Sequence, residues 1–344
     1  VDESCDLLPG VRIRPASRYD ALRCMELLVG QARMKLNPFS EIDWLTSIIE
    51  IEKECANVWD ISRDCHRLML SLSLFRPFQL NTEHADIECG DFSDSSHGCW
   101  ITLYEGKLYK SNWVMDGEEV ASLKEFLEEI QDCNVPDLLN PQRTKEFKSL
   151  YISGKHYRDS YRDGYLFERM ASCVAGIESL VLPKETELKH RMRLHVAKLL
   201  SLIDGTEFEP IKSYDNLGYA YDMRSTFVHG SGPEQSIYPE QFHKEITESN
   251  DPVVVISDYL RVLLLLFLDK QKSKDKLTVL LDRSLLSEDY TIELRKEFDK
   301  GIRLAKLTLC KSRRNLLDGK SMVIRSLGPD NAEYRSDRDR KIRP

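Results

Sequence analysis

The sequence predicts an α+β domain at the N-terminal end, followed by an all-α helical bundle. Three observations lead there. Past about residue 140, apolar residues recur at helical spacing almost without interruption. The first third switches between helical spacing and strict alternation. Between them, Asn134 to Pro141 carries two prolines and an Asn-Pro pair, a composition that breaks regular structure. The expected boundaries are 1–135 for the α+β domain, 140–305 for the bundle and 306–344 for a basic C-terminal tail.

The first domain opens with two helix signals. Ser17 precedes Asp20 and Ser40 precedes Asp43, each an N-cap with an acidic residue three places on. Leu22, Met25 and Val29 continue the first, and Trp44, Ile48 and Ile51 the second. Leu68, Leu70, Leu72 and Leu74 then alternate with Arg67, Met69, Ser71 and Ser73, which predicts a strand. Trp100 to Tyr104 and Leu108 to Val114 read as two more, joined by a hairpin turn at Glu105-Gly106. A helix is expected from Glu118 to Ile130.

In the bundle, Leu166, Met170, Val174, Ile177 and Val181 mark a first amphipathic helix, stopped near Pro183. Leu188, Met192, Val196 and Leu199 or Leu200 mark a second. Ile211, Tyr214, Gly218, Tyr221, Ser225 and Val228 mark a third. It ends at His229-Gly230-Ser231-Gly232-Pro233, where Gly230 suits a left-handed terminating position. Asn250 can cap a fourth, with Pro252 in its first turn. A fifth is expected from about Asp289 to Leu304. From Lys306 on there are 11 basic residues against five acidic ones, a net +6 that fits contact with RNA phosphates or a solvated end.

The bulk numbers bound the function. The 344 residues suffice for two or three domains. A content of 41% hydrophobic and 31% charged residues indicates globular structure. The net charge of −8 opposes non-specific binding of polyanions, so any nucleic-acid surface must be local. Nine scattered cysteines, an odd number, fit free thiols in a cytoplasmic setting better than a disulfide framework. The longest apolar run, Val253 to Leu268, is interrupted by Ser257, Asp258 and Arg261 and reads as a buried helix, not a membrane span.

The stretch Tyr221-Asp222-Met223-Arg224-Ser225-Thr226-Phe227-Val228-His229-Gly230 carries the chemistry. It sets an arginine, four residues and a histidine at the end of the third helix. This resembles the Arg-x4-His motif of HEPN domains. The longer wording, Tyr-x-x-Arg-Ser-x-x-Val-His-Gly, is similar to the ApeA-like branch of that superfamily. Gly176-Ile177-Glu178-Ser179-Leu180 and the helix through Arg191 resemble the same branch. The resemblance spans roughly residues 145–305 and does not reach the N-terminal domain.

The resemblance implies a metal-independent endoribonuclease that needs no cofactor. The ribose 2′-hydroxyl attacks the adjacent phosphate and leaves a 2′,3′-cyclic phosphate and a free 5′-hydroxyl. His229 suits proton transfer, because unperturbed imidazole titrates near ~6.5. Arg224 suits the extra negative charge at phosphorus, being permanently cationic and able to hold two phosphate oxygens. Ser225 stands where many HEPN proteins carry Asn, Asp or His, and it orients a neighbour less strongly. Glu178, on the first bundle helix, is expected to pair with Arg224 and fix its rotamer, and Tyr221 is expected as a further supporting residue of the motif. Five residues turn a helix through ~500°, so Arg224 and His229 lie ~140° apart. The family answers this by dimerisation, which implies a homodimer through the bundle, with the helix around Arg224 in its interface. The resemblance also implies a toxin-like effector of anti-phage, abortive-infection defence, with a phage-derived or protein trigger acting at the N-terminal domain. The alternative is a non-catalytic HEPN module that binds RNA or a protein, with Arg224 and His229 serving the bundle alone.

His84, Cys89, His97 and Cys99 lack a recognised zinc spacing, and no metal site is expected. Cys65-His66, on an expected strand, would point to opposite faces. The charged positions of the second bundle helix, Lys189, His190, Arg191, Arg193 and His195, read as a solvated face or part of an RNA groove. Lys155 to Arg162 offers stacking and basic groups, or is an exposed segment before the first bundle helix. No Gly-rich phosphate loop is present.

Overall fold

A computed structural model of the chain describes residues 4–15, 47–51, 58–76, 117–136, 138, 148–161, 165–182, 188–204, 208–229, 252–269 and 273–309. Among these, three strands precede ten helices. The strands are β1 (Cys5–Leu8), β2 (Val11–Pro15) and β3 (Ser47–Ile51). The helices are α1 (Val58–Phe75), α2 (Gly117–Gln131), α3 (Lys148–Ser160), α4 (Leu166–Val181), α5 (Leu188–Leu200), α6 (Pro210–Val228), α7 (Pro252–Phe267), α8 (Lys274–Ser284), α9 (Glu288–Glu297) and α10 (Asp299–Thr308). The molecule is thus mostly helical, with a small antiparallel sheet at its N-terminal end.

The sheet has the order β1-β2-β3. Ile13 of β2 faces Cys5 of β1 and Ile49 of β3. The β1–β2 turn needs Gly10, whose φ of 71° lies in the left-handed region. Leu7 and Ile13 are buried, and β1 packs on α2.

Two sequence expectations in this region are overturned. The helix drawn through Ile48 and Ile51 is the strand β3 where it is described. Three isoleucines within Ser47–Ile51 stiffen the chain in favour of extended backbone, and β2 supplies the partner. Conversely, the expected strand Leu68–Leu74 is part of helix α1. Leu68, Leu70, Leu72 and Leu74 are all buried, because α1 packs on both α2 and α7 and its apolar face is wide. Residues 63–75 contain no β-branched side chain, and leucine is a strong helix former. The segment therefore follows propensity over alternation. The helix expected at Glu118–Ile130 is α2. The expected helix from Ser17 and the strands at Trp100–Tyr104 and Leu108–Val114 lie outside the described residues, as do Gly230 and Asn250.

The bundle is built around α4 and α7. α4 packs on α3, α6 and α7, and buries Met170, Cys173, Val174, Ile177, Leu180 and Val181. The apolar run Val253–Leu268 belongs to α7 and the turn after it, and its leucines are fully enclosed. Burial of each such side chain contributes about 1.5–3 kcal/mol. No described helix is long and apolar enough to cross a membrane. The core is continuous: Leu7 of β1, Leu72 of α1, Phe126 of α2 and Leu304 of α10 share it. The start of the proline-bearing segment after α2 is packed, with Val135 buried and the Asn134 N–H donating to the Leu268 carbonyl.

The helices expected at Leu166–Val181, Leu188–Leu200 and Ile211–Val228 are α4, α5 and α6. The helix expected at Asp289–Leu304 is two helices, α9 and α10, separated at Phe298. Phe298 leaves the helical region, with φ −108° and ψ 13°, and is buried with its ring 5.2 Å from that of Phe267. Helices α3 and α8 add to the expected set. The run Lys155 to Arg162, read as an exposed approach segment, lies largely on α3, and Tyr157 within it is fully buried.

Candidate functional site

Helix α6 starts with Pro210 in its first turn, a residue whose fixed φ suits that position and whose missing N–H costs nothing there. It ends at His229, whose φ of −87° and ψ of 2° leave the helical region. The His229 N–H still donates to the Ser225 carbonyl at 3.0 Å. The imidazole is exposed and has no hydrogen-bond partner among the described residues. Phe227 and Val228, just before it, are also exposed, at 44% and 56%.

Arg224 lies one turn earlier. Its Nη2 donates to Oε2 of Glu178 on α4 at 3.4 Å, and its guanidinium carbon stands 5.8 Å from the centre of the Tyr221 ring. Arg224, Glu178 and Tyr221 are therefore brought together. Ser225 is half-buried, and its backbone carbonyl serves the helix end. Glu178 is the more enclosed partner, and its Oε1 is buried with no hydrogen bond among the described residues. Burial pushes its carboxyl above the ordinary glutamate range, and Arg224 pulls against that shift. The guanidinium keeps further N–H groups for an anion, since the carboxylate occupies a single nitrogen.

The charged residues of α5 behave differently from the solvated face or RNA groove expected. Lys189 is bonded to Asp222, and Arg191 to Asp282. The guanidinium of Arg193 lies 3.6 Å over the Tyr214 ring, donates to the Tyr214 carbonyl at 2.7 Å and reaches Asp215 at 3.1 Å. Gly218 makes room for it: a Cβ there would meet its central carbon at 2.9 Å. His190 Nδ1 is 3.1 Å from the Tyr214 hydroxyl. His195 is wholly buried, not solvated. These groups bind α5 to α6 and α8, because charges brought that close to a packed interface need partners.

Sequence reasoning missed the buried polar residues of α7. Arg261 is fully enclosed, donates from Nε to Asp258 at 2.7 Å, and reaches the end of α1. Its signal was present as a charged residue inside an apolar run. Cys65 and His66 lie on α1, where neighbours diverge by about 100°, so they do not converge. Burial raises the Cys65 thiol, which is a further argument against a nucleophile. The described residues hold no cluster of metal-binding side chains, and His84, Cys89, His97 and Cys99 lie outside them.

No family model matches the chain, and no curated protein or solved structure was found similar to it.

Proposed function

We propose that the chain is a metal-independent endoribonuclease whose active pair is Arg224 and His229. One observation carries this reading. A half-buried arginine is steadied by an enclosed carboxylate, and a histidine free of partners among the described residues stands exposed at the end of the same helix. Arg224 would meet the phosphate with the N–H groups that Glu178 leaves free, and stabilise charge gained in the transition state. His229 would move the proton of the 2′-hydroxyl or of the leaving 5′-oxygen. Tyr221 and Ser225 support the helix face between them. On this reading the bundle works as a homodimer across the exposed α6 end. The protein would act as a toxin-like effector in anti-phage defence, released by a trigger at its N-terminal part.

The test uses labelled tRNA and mRNA in EDTA, with the native chain beside folded His229→Ala and Arg224→Ala proteins. Cleavage by the native chain alone, leaving cyclic-phosphate ends, is the expected result. Cleavage that survives both substitutions would sink the assignment. A non-cleaving RNA- or protein-binding module is the second reading, favoured by the pairing of Arg224 with Glu178 and of the α5 cations with acids. Native and substituted chains would then bind RNA or partner alike without cutting.

A further inference from the structure

The last turn of α1 is held from outside by two other helices. Its carbonyls at Ser73, Leu74 and Phe75 have no N–H of their own helix to accept. Tyr157 of α3 donates its hydroxyl to Ser73 O at 2.7 Å. Arg261 of α7 donates Nη1 to Leu74 O at 2.8 Å and lies 3.5 Å from Phe75 O. The cation sits at the negative end of the α1 dipole. It is fully buried, and Nη2 has no partner among the described residues. Asp258 is its counter-ion, and Tyr161, bonded to Ser257 at 3.1 Å, closes the same polar cluster. Without α1, Arg261 would keep its charge in the interior and lose its carbonyl acceptors, which is strongly unfavourable. This seat ties α1 to the bundle.

The preceding residue of α7 continues the contact inward. Leu260 packs on Gly176 of α4 so closely that a Cβ at Gly176 would lie 2.7 Å from Leu260 Cδ2. Gly176 is two residues before Glu178, which holds Arg224. Backbone is thus packed directly against side chain, leaving little room for α7 to shift without displacing this part of α4.

We propose that α1 is a strap: seated on Arg261, it helps hold α7 against Gly176 and so supports the Glu178–Arg224 pair, and a partner that lifts α1 off Arg261 loosens that pair. The device depends on the packing, whether or not the pair cleaves RNA.

Hydrogen exchange of the full chain tests it, comparing Arg261→Met, Arg261→Lys and Tyr157→Phe with the native protein. In Arg261→Met, exchange at the α1 end should accelerate at least about tenfold. The second half of α4 and the last turns of α6 should accelerate with it. Helices α8 and α9, tied through Asp282 and Thr291, should stay as protected as in the native chain. Arg261→Lys, which keeps a cation, should return much of the α6 protection. Tyr157→Phe should give the same pattern more weakly, and decides the matter alone if the Arg261 variants do not fold. Acceleration confined to α1 and α7, acceleration equal in all helices, or a Lys variant no better than Met would overturn the proposal.

Discussion

His195 on α5 places its Nε2 2.7 Å from Oδ1 of Asp282 on α8, while its Nδ1 lies 3.3 Å from the Val181 carbonyl at the end of α4. Both ring nitrogens face oxygens, so whichever nitrogen carries a proton finds an acceptor. Three helices are joined through one buried side chain.

Asp282 is the removable half of that junction. Burial pushes its carboxyl up, but hydrogen bonds from Arg191 and His195 outweigh burial and hold it below the ordinary aspartate range. A depressed carboxyl contributes stability above its unfolded pKa and loses it as pH falls through the folded value. Asp282→Asn should therefore cost about 1–2 kcal/mol near neutrality, since solvent screens part of the pair. The difference from the native chain should shrink in acid. Urea unfolding at several pH values measures it, and a difference independent of pH would contradict the account.

Glu178 has the opposite sign. Its carboxyl is raised, so its protonated form suits the fold, and stability is lost as pH rises through the raised value. Glu178→Gln should be at least as stable as the native chain at neutral pH, with any advantage vanishing in acid. If the reading of Arg224 is right, RNA cleavage should still fall, because the amide steadies the guanidinium less well. Thermal unfolding and cleavage rates of one preparation separate the two effects.

His229→Ala should leave stability within about 0.5 kcal/mol of native, as expected at an exposed site. The helix end relies on the His229 backbone N–H, which alanine retains. A lost activity with unchanged unfolding would then be chemical in origin. A large drop in stability would show that the ring has a structural role.

Gly301 and Gly117 make a paired test. A Cβ at Gly301 would lie 2.5 Å from the Leu266 Cα and 2.8 Å from the Leu265 and Leu266 carbonyl oxygens, all backbone of α7. Gly301→Ala should destabilise by about 3 kcal/mol or more, because two helices must separate. Gly117, at the start of α2, has nothing within 4 Å of a Cβ. Gly117→Ala should be neutral or stabilise by up to about 1 kcal/mol. Chemical denaturation of both variants checks the contrast.

Helical period made α2, α4, α5 and α6 legible, because each has one face toward a core and repeats its apolar residues accordingly. The same rule failed on α1, where burial on several sides erased the helical stripe and left a chance alternation of leucines. It failed again at Phe298, where the backbone leaves the helical region and splits what reads as one helix. The Arg224 and His229 positions stood out by resemblance to a known motif, and Glu178 by its place in the similar upstream segment that forms α4. That the α5 cations are paired was not legible, since pattern records charge but not partner.

By itself, then, the amino-acid order determined the mostly helical character and the placing of Arg224 and His229 near the end of one helix. These follow from local propensity and periodicity, which act over a few residues. Only the tertiary structure decided that Arg261 caps α1, that His195 joins α4, α5 and α8, and that Gly176 and Gly301 are seats for α7. Buried polar groups and close backbone contacts take their partners from distant parts of the chain, and spacing along the sequence carries no record of which parts meet.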